Sequence, residues 1–290
     1  MSGSHTTDHR LGPPFARTPS PDPGGKERPM QQFAGADAVY YDSIATGLPG
    51  DVEFYLSEIR RAGSPVLELG CGTGRMLVPI ALEGIDVVGL DMAPAMLDIA
   101  RAKVAALPDQ VRDRVEIVHG DMRDISLNRR FKLVLIPYRA FLHLMTVEDQ
   151  RAALTSIHEH LEDGGRLVFD VFDPNLDMIA AHSSHIGTVL TRLADFDIPE
   201  SGRKAMVWET REYDLERQVL TEYRIFEELD DQGVVAKKTY TPLELRWIYR
   251  YEMVHLLELC GFEIEALYGD FNRGSFKPGG EQVWVARAAG

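Results

Sequence analysis

The chain has 290 residues, of which 44% are apolar and 26% charged, a balance that excludes a wholly disordered polymer and supplies enough apolar mass for a sizeable core. Its formal charge of −14 opposes nucleic acid, whose binding draws on Lys and Arg contacts to phosphate. No apolar run reaches the ~18–20 residues of a membrane-spanning helix, and Cys71 and Cys260 alone cannot build a disulfide scaffold or a structural zinc site, so a cytoplasmic protein acting on small molecules is expected.

Residues 1–30 carry Pro13, Pro14, Pro19, Pro21, Pro23 and Pro29 among glycines, with little that is large and apolar beyond Leu11 and Phe15. They lack the apolar core of a signal peptide and read as a disordered arm, because they bury too little surface to offset their ordering entropy. Val52, Tyr55, Leu56 and Ile59 fall at helical spacing within a helical segment, residues 31–64, that Gly63 terminates. From residue 65 the pattern changes. Val66–Leu69, Asp86–Asp91, Val115–His119, Phe131–Ile136 and Arg166–Val171 read as continuous apolar strands, separated by helical stripes such as Leu77, Ile80 and Ala81 or Leu154, Ile157 and Leu161. Such alternation predicts βαβ units and a parallel sheet covered on both faces, an α/β fold.

After Gly187 the period shortens. Met206–Tyr213, Val219–Leu229 and Val235–Ile248 alternate with period two around turn signals, predicting an antiparallel insertion over residues 187–248. Thr241-Pro242-Leu243-Glu244 also fits a helix capping box, but the period of Leu243, Leu245 and Trp247 favours a strand. Residues 195–233 hold twelve acidic and five basic side chains, either as solvated strand faces or as a cap whose field favours a cationic substrate. A helix through Met253, Leu256 and Leu257 and strands at Phe262–Tyr268 and Gln282–Ala286 close the domain.

The chemistry concentrates in three places. Gly70, Gly72 and Gly74 follow the first strand, where an open α/β sheet binds ligands. Their Gly-x-Gly-x-Gly spacing differs from the dinucleotide fingerprint, and Glu68 two residues earlier repels a pyrophosphate while tolerating a cation; by itself the triplet is equally a tight strand-to-helix turn. Asp91 ends the second strand at the offset of a ribose-binding acid, with a helix N-cap as the competing role. Asp121-Met122 follows the third strand, where an acid accepts from an adenine amine and a backbone amide donates to a ring nitrogen, unless the aspartate only caps a turn.

Leu67-Glu68-Leu69-Gly70-Cys71-Gly72-Thr73-Gly74, with Asp91, Asp121-Met122, Ile136-Pro137-Tyr138 and Leu161–Leu167 in order, resembles the class I S-adenosylmethionine-dependent methyltransferases. Asp163 stands where that family usually has proline. The resemblance implies a Rossmann-like, mostly parallel seven-stranded sheet of order 3-2-1-4-5-7-6, with residues 31–64 as a lid, 65–290 as the methyltransferase domain and 187–248 as its cap. It further implies S-adenosylmethionine as cofactor, S-adenosylhomocysteine as product and no metal. The cofactor set would be Tyr40, Glu68, Gly70, Cys71, Gly72, Gly74, Arg75, Asp91, Met92, Met96, Asp121, Met122, Pro137 and Tyr138, with Cys71 packed rather than nucleophilic. Tyr41, Phe141, Trp247 and Tyr249 are candidate contacts to a small-molecule acceptor, as in natural-product tailoring enzymes. His143 is the candidate general base, or else a structural histidine beneath the cofactor, and Tyr40 a candidate lid contact. The insertion's exposed strands offer a route to a homodimer.

Overall fold

A computed structural model describes residues 36–183, 189–198 and 201–289; the Pro/Gly-rich arm lies outside the described residues. In chain order the elements are α1 (Ala36–Ile44), α2 (Asp51–Ala62), β1 (Val66–Leu69), α3 (Leu77–Leu82), β2 (Val87–Asp91), α4 (Pro94–Ala105), α5 (Asp109–Arg112), β3 (Val115–His119) and β4 (Phe131–Ile136). A short 3-10 turn (Ala140–His143) leads to α6 (Val147–His160), β5 (Leu161–Phe172), α7 (Leu176–Ser183), β6 (Thr191–Asp197), β7 (Lys204–Asp214), β8 (Val219–Leu229) and β9 (Val235–Arg246). The chain closes with α8 (Arg250–Leu259), β10 (Phe262–Tyr268) and β11 (Glu281–Ala288).

The large sheet runs β3-β2-β1-β4-β5-β11-β10. Numbering only its own strands, the order is the expected 3-2-1-4-5-7-6. β11 alone runs against its neighbours, β5 and β10. Both faces are covered because alternate side chains of each central strand point opposite ways. Leu67, Leu69, Val134 and Ile136 pack with Leu154 and Ile157 of α6 and Met253 and Leu257 of α8. Val66, Leu133, Leu135 and Val168 pack on the other face with Tyr55 and Ile59 of α2 and Leu77 and Ile80 of α3. Both ends of α2 are set by glycines at positive φ, Gly50 and Gly63, and its acids lie in the first turn and its arginines in the last, matching the helix dipole.

A second sheet, β6-β7-β8-β9, is wholly antiparallel. Tyr240–Glu244 is strand, as the period-two pattern requires. The edge strand β6 and the helix α7 escape the sequence pattern. β6 is mostly exposed and so lacks a strong apolar alternation, while α7 is initiated by Asn175, whose side-chain oxygen accepts the Met178 amide at 3.0 Å.

Candidate functional site

The carboxyl ends of β1 to β5 open on one side of the large sheet, and the first structural requirement there is backbone freedom. Gly70, Gly72 and Gly74 have φ of 68°, 53° and 79°, a region costly for residues bearing a Cβ. At Gly70 the space is closed as well: a Cβ would stand 2.6 Å from that of Ala140 in the turn after β4. The loop therefore brings bare backbone amides to the crevice. Beneath it Glu68 is 2% exposed, and its Oε2 has no hydrogen-bond partner among the described residues. Burial pushes this carboxyl up to about 8, with Arg75 opposing and Asp91 reinforcing the rise. Cys71 is buried in the apolar layer and its thiol is raised by burial, in keeping with packing.

Asp91 is not the N-cap of α4, which is Ala93, but it binds backbone on both sides of the crevice. Its Oδ2 accepts the Gly72 amide and its Oδ1 the Ala93 amide, both at 2.8 Å, so it fastens the glycine loop to the start of α4. A carboxylate has about four acceptor sites, which leaves lone pairs for ligand hydroxyls. Met92 beside it is exposed, whereas Met96 is buried beneath Gly72. At β3, the Arg123 side chain grips Asp121 through Nε at 2.9 Å and Nη2 at 2.6 Å, and also reaches Asp149 at 2.7 Å. Burial raises the Asp121 carboxyl, but the Arg123 hydrogen bonds outweigh it and hold the group low. Asp121 is thus ionised and half-engaged. Met122 is partly buried against the core next to Gly70.

The front wall comes from the amino-terminal helices and the loop after β4. Tyr41 is held above its ordinary range by burial, with Tyr138, Arg75, Arg224 and Asp91 as its charged or titratable neighbours. Arg75 pairs with Asp51 at 2.8 Å and lies 5.3 Å from the Tyr138 ring centre. Tyr138 and Arg139 both sit at positive φ, 56° and 64°. The buried Asp170 at the end of β5 holds them there, accepting the Tyr138 amide at 2.8 Å, the Arg139 amide at 3.0 Å and the Tyr55 hydroxyl at 2.5 Å. Burial lifts Asp170 to about 7, against the pull of Tyr55. His143, in the following turn, has its Nδ1 shut off from solvent; burial first and the Arg224 charge second draw its imidazole down to about 4. It is neutral at physiological pH and only weakly basic.

The cap contributes its inner face. Glu209 and Arg211 on β7 stand across from Arg224 and Glu222 on β8. Arg211 reaches Glu209 at 2.6 Å and Glu222 at 3.2 Å, and Arg224 reaches Glu222 at 2.8 Å. Beyond this quartet, between β7, β8, α7 and the turn before β11, lies a cavity of about 290 Å³ that includes Arg139, Phe172, Leu220, Glu222 and Trp247 in its wall.

A family described as a methyltransferase domain matches residues 66–165. The dTDP-3-amino-3,4,6-trideoxy-alpha-D-glucopyranose N,N-dimethyltransferase of Streptomyces venezuelae is 37% identical over 107 residues, or 37% of this chain and 42% of that protein. The structure of the CcbJ methyltransferase from Streptomyces caelestis is 27% identical with a TM-score of 0.73, over 88% of this chain and 96% of that one. This chain carries a methyltransferase domain over residues 66–165, and its fold is that of the class I S-adenosylmethionine-dependent methyltransferases. A further structure of the same kind is the S-adenosylmethionine-bound CalS10, an amino pentose methyltransferase from Micromonospora echinaspora, at 25% identity and a TM-score of 0.64 over 86% of this chain and 96% of that one. In sequence, the matched stretch spans about half the length of the first curated relatives.

In this chain several expected contacts fall elsewhere. Tyr40 does not face the crevice. Its hydroxyl donates to Glu228, its ring stacks on Phe226 at 4.9 Å, and it belongs to the apolar cluster of the cap, because adjacent residues of α1 point to different faces. Phe141 is fully buried against Phe169 in the core, and Tyr249 is exposed at the start of α8 outside the cavity wall. Trp247 does line the cavity. Pro137 is buried where β4 gives way to the loop. The loop around Arg273 packs on α2 through Glu58 and Ser57. Sequence reasoning missed Tyr55, Asp170, Arg139, Glu222 and Arg224, which meet only through tertiary structure. The one signal for Asp170 is a carboxylate inside the apolar run Leu167–Phe172.

Proposed function

We propose that this chain transfers a methyl group from S-adenosylmethionine to a nitrogen of a small-molecule acceptor, an amino-sugar-like compound of secondary metabolism. The observation that carries the cofactor half is Glu68 Oε2, a buried carboxylate oxygen without a partner among the described residues, under a loop of three glycines at positive φ and beside Asp91. An orphaned acid suits a ligand bearing positive charge, the bare amides suit close approach, and the free lone pairs of Asp91 suit ribose hydroxyls. Met92, exposed beside Asp91, and the ionised Asp121 after β3 are the residues we assign to the adenine. The acceptor half is supported by what the relatives are named for: N,N-dimethylation of a dTDP-amino sugar in one and methylation of an amino pentose in another.

When bound, the cofactor would supply a methyl on a positively charged sulfur for direct displacement by the acceptor nitrogen, with the neutral thioether as leaving group. The chain's task is then orientation and exclusion of water. Asp42 of α1 does part of this by accepting the Thr73 hydroxyl at 2.6 Å and pairing with Lys103 at 2.6 Å, which straps α1 across the glycine loop. The nitrogen must attack as a neutral amine and shed one proton afterwards. That proton passes to solvent, because His143, drawn down to about 4, is too weak a base to hold it.

Calorimetry tests the reading. S-adenosylmethionine and S-adenosylhomocysteine should both bind, NAD should not, and Asp91→Ala should weaken both by about a hundredfold, the ~3 kcal/mol of lost charge-assisted hydrogen bonds. Binding of NAD in place of the sulfonium cofactor defeats the proposal.

A further inference from the structure

Resting on the methyl-transfer reading above, we infer that the cavity under the cap receives an acceptor ring that is not attached to a nucleoside diphosphate, and that Trp247 Nε1 donates to one of the ring's oxygens. Four observations support it. The cavity adjoins the crevice at the glycine loop: Tyr138 lies against Arg75, which follows that loop, and the next residue, Arg139, forms part of the cavity wall. At about 290 Å³ it has room for about ten waters at ~30 Å³ each, so it fits one substituted ring rather than a peptide chain.

Its charges are already spent on one another. The wall's two arginines both hold carboxylates, Arg139 that of Glu281 and Arg211 those of Glu209 and Glu222. Asp173 is satisfied by the Gln282 side chain and the Gly279 amide, each at 2.8 Å. A diphosphate is held by cations free to donate to it, and here each would first have to leave a partner. The acidic cap and the chain's −14 add a field that opposes an anion and accepts an amine.

The last observation is an unmade hydrogen bond. Trp247 is 1% exposed, and its Nε1 has no partner among the described residues. Leu220, Ile179 and the Phe172 ring supply apolar surface beside it. A buried donor next to apolar surface calls for a ligand with an oxygen on an otherwise carbon-rich face, which a hydroxylated ring presents. The relative from S. venezuelae is named for a dTDP-linked sugar; this cavity favours the amino sugar without that handle.

The test follows the indole N–H resonances of Trp208, Trp247 and Trp284 in the full chain saturated with S-adenosylhomocysteine, with Trp247→Phe identifying the Trp247 signal. Methyl glucosaminide, and the methyl glycoside of the isomer with its amine on the third carbon, are titrated against dTDP-glucosamine. At least one glycoside should move the Trp247 signal and leave that of Trp284 in place, Trp247→Phe should weaken that glycoside about tenfold, and dTDP-glucosamine should bind about tenfold more weakly even at low salt. Glu281→Gln, which releases Arg139, should narrow that gap severalfold. A Trp247 signal unmoved by both saturating glycosides, or dTDP-glucosamine binding as tightly as the glycoside, overturns the inference. Failure of S-adenosylhomocysteine to bind in the same samples would instead strike the methyl-transfer reading itself.

Discussion

On the proposed reading, Glu68 changes protonation when a cationic cofactor enters the crevice. With its carboxyl near 8 in the ligand-free protein, it is mostly protonated at neutral pH. A cation bound beside it favours the ionised form, so binding expels a proton. The sign follows: affinity for S-adenosylmethionine rises with pH toward about 8 and levels off above it, by at most about tenfold per pH unit for one released proton. Glu68→Gln should flatten this dependence while the fold, followed by circular dichroism, stays intact; an unchanged slope in that variant would show that Glu68 does not face the cofactor. At this scale the sequence was informative wherever the chemistry is local. Glu68, the glycines and Asp91 lie within one strand–turn–strand stretch, and spacing alone singled them out. It was uninformative about Tyr40 and Tyr41, because neighbouring residues on a helix face different ways and only packing decides which meets the ligand.

Among the elements, the turn joining β4 to the 3-10 helix is the most strained feature of the site, with two consecutive non-glycine residues at positive φ. It is held by a carboxylate 31 and 32 residues away in sequence, on β5, and by Tyr55 from α2 on the other side. Asp170→Asn replaces an acceptor by a group that also carries donors, facing three donors in a dry setting. The expected cost is ~1–3 kcal/mol, a fall in Tm of a few degrees for a chain this size. The turn also places Tyr138 and Arg139, so kcat/KM for the acceptor should drop about 10–100-fold while cofactor affinity holds within a fewfold. Tyr55→Phe, which keeps the carboxylate, should show a weaker form of the same split. Equal losses in cofactor affinity and acceptor turnover would mean that Asp170 merely supports the fold. No periodicity in the sequence announces such a contact, which exists only once β4 and β5 lie side by side.

For the whole molecule, the large sheet was legible because buried parallel strands are continuous apolar runs, and those runs appear in order from Val66 to Val171. The cap was legible as antiparallel strands from period two, except for its exposed edge β6. The cavity under the cap was not: its wall draws on the turn after β4, β5, α7, β7, β8 and the turn before β11, residues that no single stretch of chain brings together. The two halves meet where Glu222 lines the cavity and its partner Arg224 approaches Tyr41, Tyr138 and His143. On the proposed reading, one assembly holds cofactor on the sheet side and acceptor on the cap side. The direct test is mass spectrometry of a panel of amino-bearing glycosides incubated with the protein and S-adenosylmethionine carrying a trideuterated methyl. The account requires one acceptor to gain a single intact trideuteromethyl on nitrogen, with S-adenosylhomocysteine formed in equal amount and both lost in Asp91→Ala; cofactor bound tightly and returned unchanged across the panel would contradict it.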